Sequence, residues 1–112
     1  MPILKEKKRY LIFEIVSNQK IGNFKAISEE IMDKSLELIG QLGVARAGIQ
    51  VPNDCWNPEL QRGVIRVNHK NVDELKASLS FIKKIDNKDV IVKSIGVSGI
   101  LNKAKERYLA KK

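Results

Sequence analysis

Residues 9–17, RYLIFEIVS, alternate as a β-strand whose two faces are both apolar. Leu11, Phe13 and Ile15 fall on one side, and Tyr10, Ile12, Glu14 and Val16 on the other, because successive side chains of a strand point in opposite directions. A strand of this kind belongs at the centre of a sheet with material packed on both faces. Glu14 is the one acidic residue in the run. Its simplest accommodation is a cation directly across from it, and an arginine of a neighbouring strand suits that role better than catalysis does.

The rest of the chain supplies the covering layers. Residues 23–41 place Phe24, Ile27, Ile31, Leu38 and Leu42 at helical spacing, with Met32 and Ile39 widening the stripe. Asn23 is the expected N-cap, and Gly40 and Gly43 are the expected stops. Residues 44–52, VARAGIQVP, alternate with Ala45, Ala47, Ile49 and Val51 inward, which predicts a second strand. Residues 62–68, RGVIRVN, read as a third strand, a helix capped by Asn71 follows with Glu74 three residues on, and 89–97, DVIVKSIGV, read as a fourth strand. A basic helix begins near residue 100. The order β-α-β-β-α-β is that of a ferredoxin-like α+β sandwich, an antiparallel four-stranded sheet in the order 4-1-3-2 with two helices on one face. The extra C-terminal helix is an addition to that plan, and residues 1–112 form one domain.

Charge is concentrated at the two ends. Of a net charge of +8, residues 1–9 hold four cations (Lys5, Lys7, Lys8, Arg9) against Glu6. Residues 103–112 hold five (Lys103, Lys105, Arg107, Lys111, Lys112) against Glu106, so the body between them is nearly neutral. Basic ends on a neutral body suit a phosphate backbone, since each phosphate neutralised releases a counterion. The alternation also puts Arg46, Arg62 and Arg66 on one sheet face with Lys93 nearby, a basic platform for nucleic acid. The competing arrangement has the last helix lying over that face and the arginines pairing with Glu14 and other groups. Only Tyr10, at the start of its strand, offers an aromatic to that platform, so recognition of backbone or shape is favoured over base stacking.

Enzyme chemistry finds little support. His69 is the lone histidine and Cys55 the lone cysteine, so no triad, disulfide or multi-cysteine zinc site can be assembled from them. The glycines fit neither a Walker loop nor a dinucleotide-binding spacing. No apolar run approaches the roughly 20 residues of a membrane span, and charge occupies the N-terminal stretch where a secretory signal would be apolar. A reducing, cytoplasmic address is the expectation. In the loop NDCWNP, Trp56 either plugs a core edge or anchors a partner, and Asn57 is held extended by Pro58.

Three segments resemble the archaeal and eukaryotic ribonuclease P protein component 2 family: CWNPELQRGVIRV at 55–67, RYLIFEI at 9–15 and GVSGI at 96–100. Trp56, Asn57, Pro58, Arg62, Gly63, Ile65, Arg66 and Val67 match the family's pattern. Gln61 stands where that family often carries glycine, Asn68–His69 where a basic residue is common, and Ile100 where threonine usually follows GVSG. The resemblance implies a ferredoxin-like subunit that is not itself a nuclease, working beside an RNA that removes the 5′ leader from precursor tRNA. It implies no cofactor on this chain, Mg²⁺ on the RNA, pairing with a TIM-barrel-like protein subunit, self-association, and only indirect dealings with precursor tRNA. The residues expected to meet ribonuclease P RNA are Arg9, Arg46, Arg62, Arg66, Lys93, Lys103 and Arg107. Trp56, Asn57 and Pro58, with exposed apolar parts of the first helix, are expected to meet the protein partner. A small-ligand regulatory domain would leave the basic ends unexplained, and a general ribosomal or RNA-chaperone protein would leave the Trp-Asn-Pro segment idle.

Overall fold

The central strand sits where its two apolar faces demand. In the computed structural model, which describes residues 7–110, β1 (Lys8–Val16) lies between β2 (Arg62–Asn68) and β5 (Ile91–Ser98), antiparallel to both. Lys5, Glu6, Lys111 and Lys112 of the basic ends lie outside the described residues. One sheet face carries Leu11, Phe13, Ile15, Ile65 and Val67 beneath α1 (Phe24–Ala47) and α2 (Val72–Ser80), which contribute Ile27, Ile31, Leu75 and Leu79. The other face carries Ile12 and Val64, fully buried beneath α3 (Leu101–Ala104) and the π-helical turn Lys105–Leu109 that continues it. The alternation in β1 thus divides its side chains between two cores.

The outer edge next to β2 departs from the expected second strand. Residues 44–47 are helical, and all that remains of that strand is a single bridge at Gln50, which exchanges both backbone hydrogen bonds with Arg66 (2.8 and 3.0 Å). Gln50 occupies the sheet position that the 4-1-3-2 order assigns to a second strand. The physical reason lies in two glycines. Gly40 breaks α1 at φ 73°, but the chain turns helical again through Val44-Ala-Arg-Ala, whose alanines suit a helix. The stop comes at Gly48, left-handed at φ 59°, its N–H returning to the Val44 carbonyl. Ile27 and Ile31 are buried as the spacing requires, whereas Leu38 is 44% exposed and Leu42, past the kink, is 72% exposed.

Helix starts follow the sequence in part. Asn23 caps α1, its side chain accepting from the Ala26 N–H. Asn71 precedes α2 without such a bond and donates instead to Glu74 Oε1 at 2.6 Å. The cap bond belongs to Asn68, which accepts from the Lys70 N–H and opens the 3₁₀ turn His69–Asn71. Between α2 and β5 a short hairpin pairs β3 (Lys84–Ile85) with β4 (Lys88–Asp89). Its turn residues, Asp86 and Asn87, take φ of 54° and 62°, the geometry that favours Asn and Asp in tight hairpins. Among the described residues no helix is long and apolar enough to cross a membrane.

Candidate nucleic-acid interface

The predicted arginine platform separates into residues with different surroundings. Arg46 is exposed on the last turn of α1, off the sheet, because residues 44–47 are helical. Arg62 lies across from Glu14 in the β1–β2 register, and its Nε donates to Glu14 Oε2 at 2.9 Å. Its Nη1 donates to the Tyr108 carbonyl at 3.0 Å. Glu14 therefore has the cation its apolar strand required, and two of the Arg62 donors, Nε and Nη1, are taken within the chain. Arg66, across from Tyr10, places Nη1 3.4 Å from Gln50 Oε1, while its Nε is shielded from solvent without a hydrogen-bond partner. Lys93 is exposed on β5, across β1 from the Arg62 side. Arg9 stands on the helix-facing set of β1, with Nη1 donating to the Lys8 carbonyl at 3.1 Å and lying against Gly99.

The C-terminal helix covers the face on which Arg62 and Arg66 stand. Leu101, Ala104 and Tyr108 form its inward stripe, at spacings of three and four residues, and pack with Leu109 on Ile12, Val64 and Ile95. Gly96 admits the Tyr108 ring so closely that a Cβ there would intrude on it. The opposite stripe is Lys103 and Arg107, both exposed and forming no ion pair among the described residues. Between this stripe and the end of β5 runs a cavity of about 690 Å³ bordered by Val97, Ser98, Lys103, Glu106, Arg107 and Tyr108. It is the place where expected RNA-contacting residues converge on open space.

The Trp-Asn-Pro loop is built into the same end of the molecule. Trp56 stacks on Phe13 (centroids 6.0 Å apart, planes 18° apart) and tilts against Phe24, also 6.0 Å away, so its indole closes the edge of the helix-side core. Of the two roles left open for a tryptophan here, the plug is the one observed. Gly63 makes room for it: a Cβ there would lie 2.6 Å from Phe13 Cζ and 3.1 Å from Trp56 Cε3. Asn57 accepts from the N–H groups of Glu59 and Leu60 and donates through Nδ2 to the Leu109 carbonyl at 2.9 Å. Pro58 is exposed at the tip. The loop and the last helix border a second, shallow and open pocket of about 500 Å³, lined in part by Cys55, Trp56, Lys105 and Leu109. Burial pushes the Cys55 thiol above its ordinary range, and the Asp54 carboxylate adds to the shift while Lys105 opposes it. A thiol so raised is a poor nucleophile at neutral pH. His69 is half-buried at the end of β2, its N–H bonded to the Lys7 carbonyl.

Sequence reasoning missed Asn57 and Arg62 as partners of the final helical carbonyls. It also missed Gln61, which holds φ 55° and reaches Ile21 from both sides with its side-chain amide.

Known proteins resemble this chain over nearly its whole length. The model of the Rpp14/Pop5 family matches residues 9–109. "Ribonuclease P protein component 2" of Thermococcus kodakarensis is 31% identical over 109 residues, 97% of this chain and 88% of that one. The protein of the same name from Pyrococcus horikoshii is 31% identical over 112 residues, 98% and 89% of the two chains. That from Methanosarcina acetivorans is 31% identical over 97% of this chain and 79% of its own. Among solved structures, a chain of yeast ribonuclease MRP superimposes with a TM-score of 0.61 at 17% identity, over 88% of this chain and 78% of that one, and shares the fold.

Proposed function

The chain belongs to the Rpp14/Pop5 family and has the role of a ribonuclease P protein subunit, and on that premise we propose that it braces the RNA of that enzyme electrostatically. One observation carries this reading. The last helix buries Leu101, Ala104 and Tyr108 against the sheet and turns Lys103 and Arg107 outward beside a 690 Å³ cavity. An amphipathic helix held this way presents fixed cations to a polyanion, and each phosphate it neutralises releases a counterion. Lys103 supplies a compact charge and Arg107 a planar fork able to take two phosphate oxygens. Arg46, Arg66 and Lys93 extend the positive surface, and Arg9 adds a cation beside Gly99 at the start of the helix.

Bond cleavage belongs, in this reading, to the RNA and its Mg²⁺. Among the described residues no three His, Cys, Asp or Glu side chains converge as metal ligands, and no step of the reaction is assigned to this chain. The protein partner is a TIM-barrel-like subunit of the same enzyme, seated on the exposed apolar surface of Leu38 and Leu42, which lie on either side of the kink at Gly40. Precursor tRNA is met only through the assembled particle.

Reconstitution tests the reading. Leader removal from precursor tRNA is measured with ribonuclease P RNA and its other protein subunits at limiting Mg²⁺, with and without this chain. Addition of the chain accelerates the reaction, and the chain alone releases no leader. Cleavage by the RNA-free polypeptide, or a rate indifferent to its addition, overturns the proposal.

A further inference from the structure

The last helix is too short to hold its own shape. Nine residues, Leu101–Leu109, fall below the roughly 12–15 at which an isolated helix becomes even marginally stable in water. Its final carbonyls have no partner within the helix, and the wide π turn of Lys105–Leu109 ends at Ala110, which is extended. Two of those carbonyls are taken from outside, by residues far away in sequence. Arg62 Nη1 donates to Tyr108 at 3.0 Å and Asn57 Nδ2 to Leu109 at 2.9 Å. Both donors are themselves fixed. Arg62 is held by Glu14 through Nε, and Asn57 is held by the N–H groups of Glu59 and Leu60. A cation at the C-terminal end of a helix is also favoured by the helix dipole.

We propose that Asn57 and Arg62 are positioning residues, a clamp on the Tyr108 and Leu109 carbonyls that orients Lys103 and Arg107 toward RNA phosphates. This rests on the reading of Lys103 and Arg107 given above. Arg62 then contributes to RNA affinity without touching RNA, and Glu14 contributes by aiming Arg62. Releasing the clamp leaves the number of outward cations unchanged but makes binding pay for ordering the helix.

A thermodynamic cycle on the full chain tests this, using ribonuclease P RNA transcribed in vitro as the probe. Two clamp variants leave net charge unchanged: Asn57→Ser, which keeps an acceptor for the loop but is too short to carry a donor to the Leu109 carbonyl, and the double substitution Glu14→Gln with Arg62→Gln. Each is combined with Lys103→Gln plus Arg107→Gln. In the otherwise native chain, each clamp variant weakens RNA binding by about three- to ten-fold, the equivalent of a hydrogen bond or two. On the Lys103→Gln, Arg107→Gln background the same substitutions change affinity less than about two-fold, because the cations they position are gone. Hydrogen exchange on the free protein speeds up at residues 101–109 in both clamp variants and stays unchanged in α1 and β1. Equal losses on both backgrounds, or unchanged exchange in the helix, overturn the clamp. If Lys103→Gln with Arg107→Gln binds RNA as the native chain does, the reading of the groove fails and the positioning role fails with it. The two failures are therefore told apart by that one variant.

Discussion

Gln61 encloses the backbone of Ile21: its side-chain oxygen accepts from the Ile21 N–H at 2.8 Å and its amide donates to the Ile21 carbonyl at 3.1 Å. The same residue holds φ 55°, a conformation that costs a side chain of this kind on the order of 1 kcal/mol and costs glycine little. Gln61→Gly removes the strain but leaves two buried backbone groups unpaired, since Ile21 has no exposure. The expected net loss is about 1–3 kcal/mol in urea unfolding. Gln61→Ala keeps the strain and loses the bonds as well, so it should be the less stable of the two.

Trp56 should matter first to stability. Its indole lies on Phe13 and Phe24 at the rim of the helix-side core. Trp56→Ala is expected to cost about 2–4 kcal/mol, toward the lower end for an aromatic truncation because the residue is only half-buried. Trp56→Phe should lose less than half of that. Chemical unfolding of the three chains checks the order.

Gly96 is the point at which the last helix meets the sheet. A methyl group there collides with the Tyr108 ring, so Gly96→Ala should loosen residues 101–109 while the α1–α2 side of the sheet is spared. A loss of about 1–3 kcal/mol is expected for the overpacked site. Hydrogen exchange that accelerates in the last helix alone is the signature.

Cys55 sets a limit at alkaline pH. Its thiol is raised by burial and by Asp54, so the folded state holds the proton to a higher pH than the unfolded state does. The stabilisation is complete below the unfolded thiol's pKa and is lost as pH rises through the folded value. Stability should therefore fall above roughly pH 9 in the native chain and not in Cys55→Ser. Alkylation of the native thiol at pH 8 should be slow, and fast once the chain is unfolded in urea.

Much of the fold could be read from local pattern. The runs at 9–17 and 62–68 are β-branched and aromatic, and they form strands at Lys8–Val16 and Arg62–Asn68. Their central placement followed from apolar character on both faces of the first. Residues 44–52 were misread because Ala45 and Ala47 satisfy a two-residue alternation and a helix equally well. The decision between the two lies in Gly40 and Gly48, whose positive φ values redirect and then stop α1. Leu42 lies past that redirection and is exposed. The need of Glu14 for a cation was legible, since a buried strand tolerates a carboxylate only when it is paired. The clamp was not legible. Its bonds join side chains to carbonyls 46 and 52 residues away, and a backbone carbonyl leaves no mark on the residue types around it.

The salt dependence of RNA binding tests the outward-facing cations most directly. Affinity for ribonuclease P RNA is measured between about 50 and 200 mM monovalent salt for the native chain and for Lys103→Gln with Arg107→Gln. Two lost phosphate contacts should make the slope of log K against log salt shallower by about two. Parallel lines for the two proteins would contradict the account, because cations whose removal leaves the slope unchanged displace no counterions from RNA.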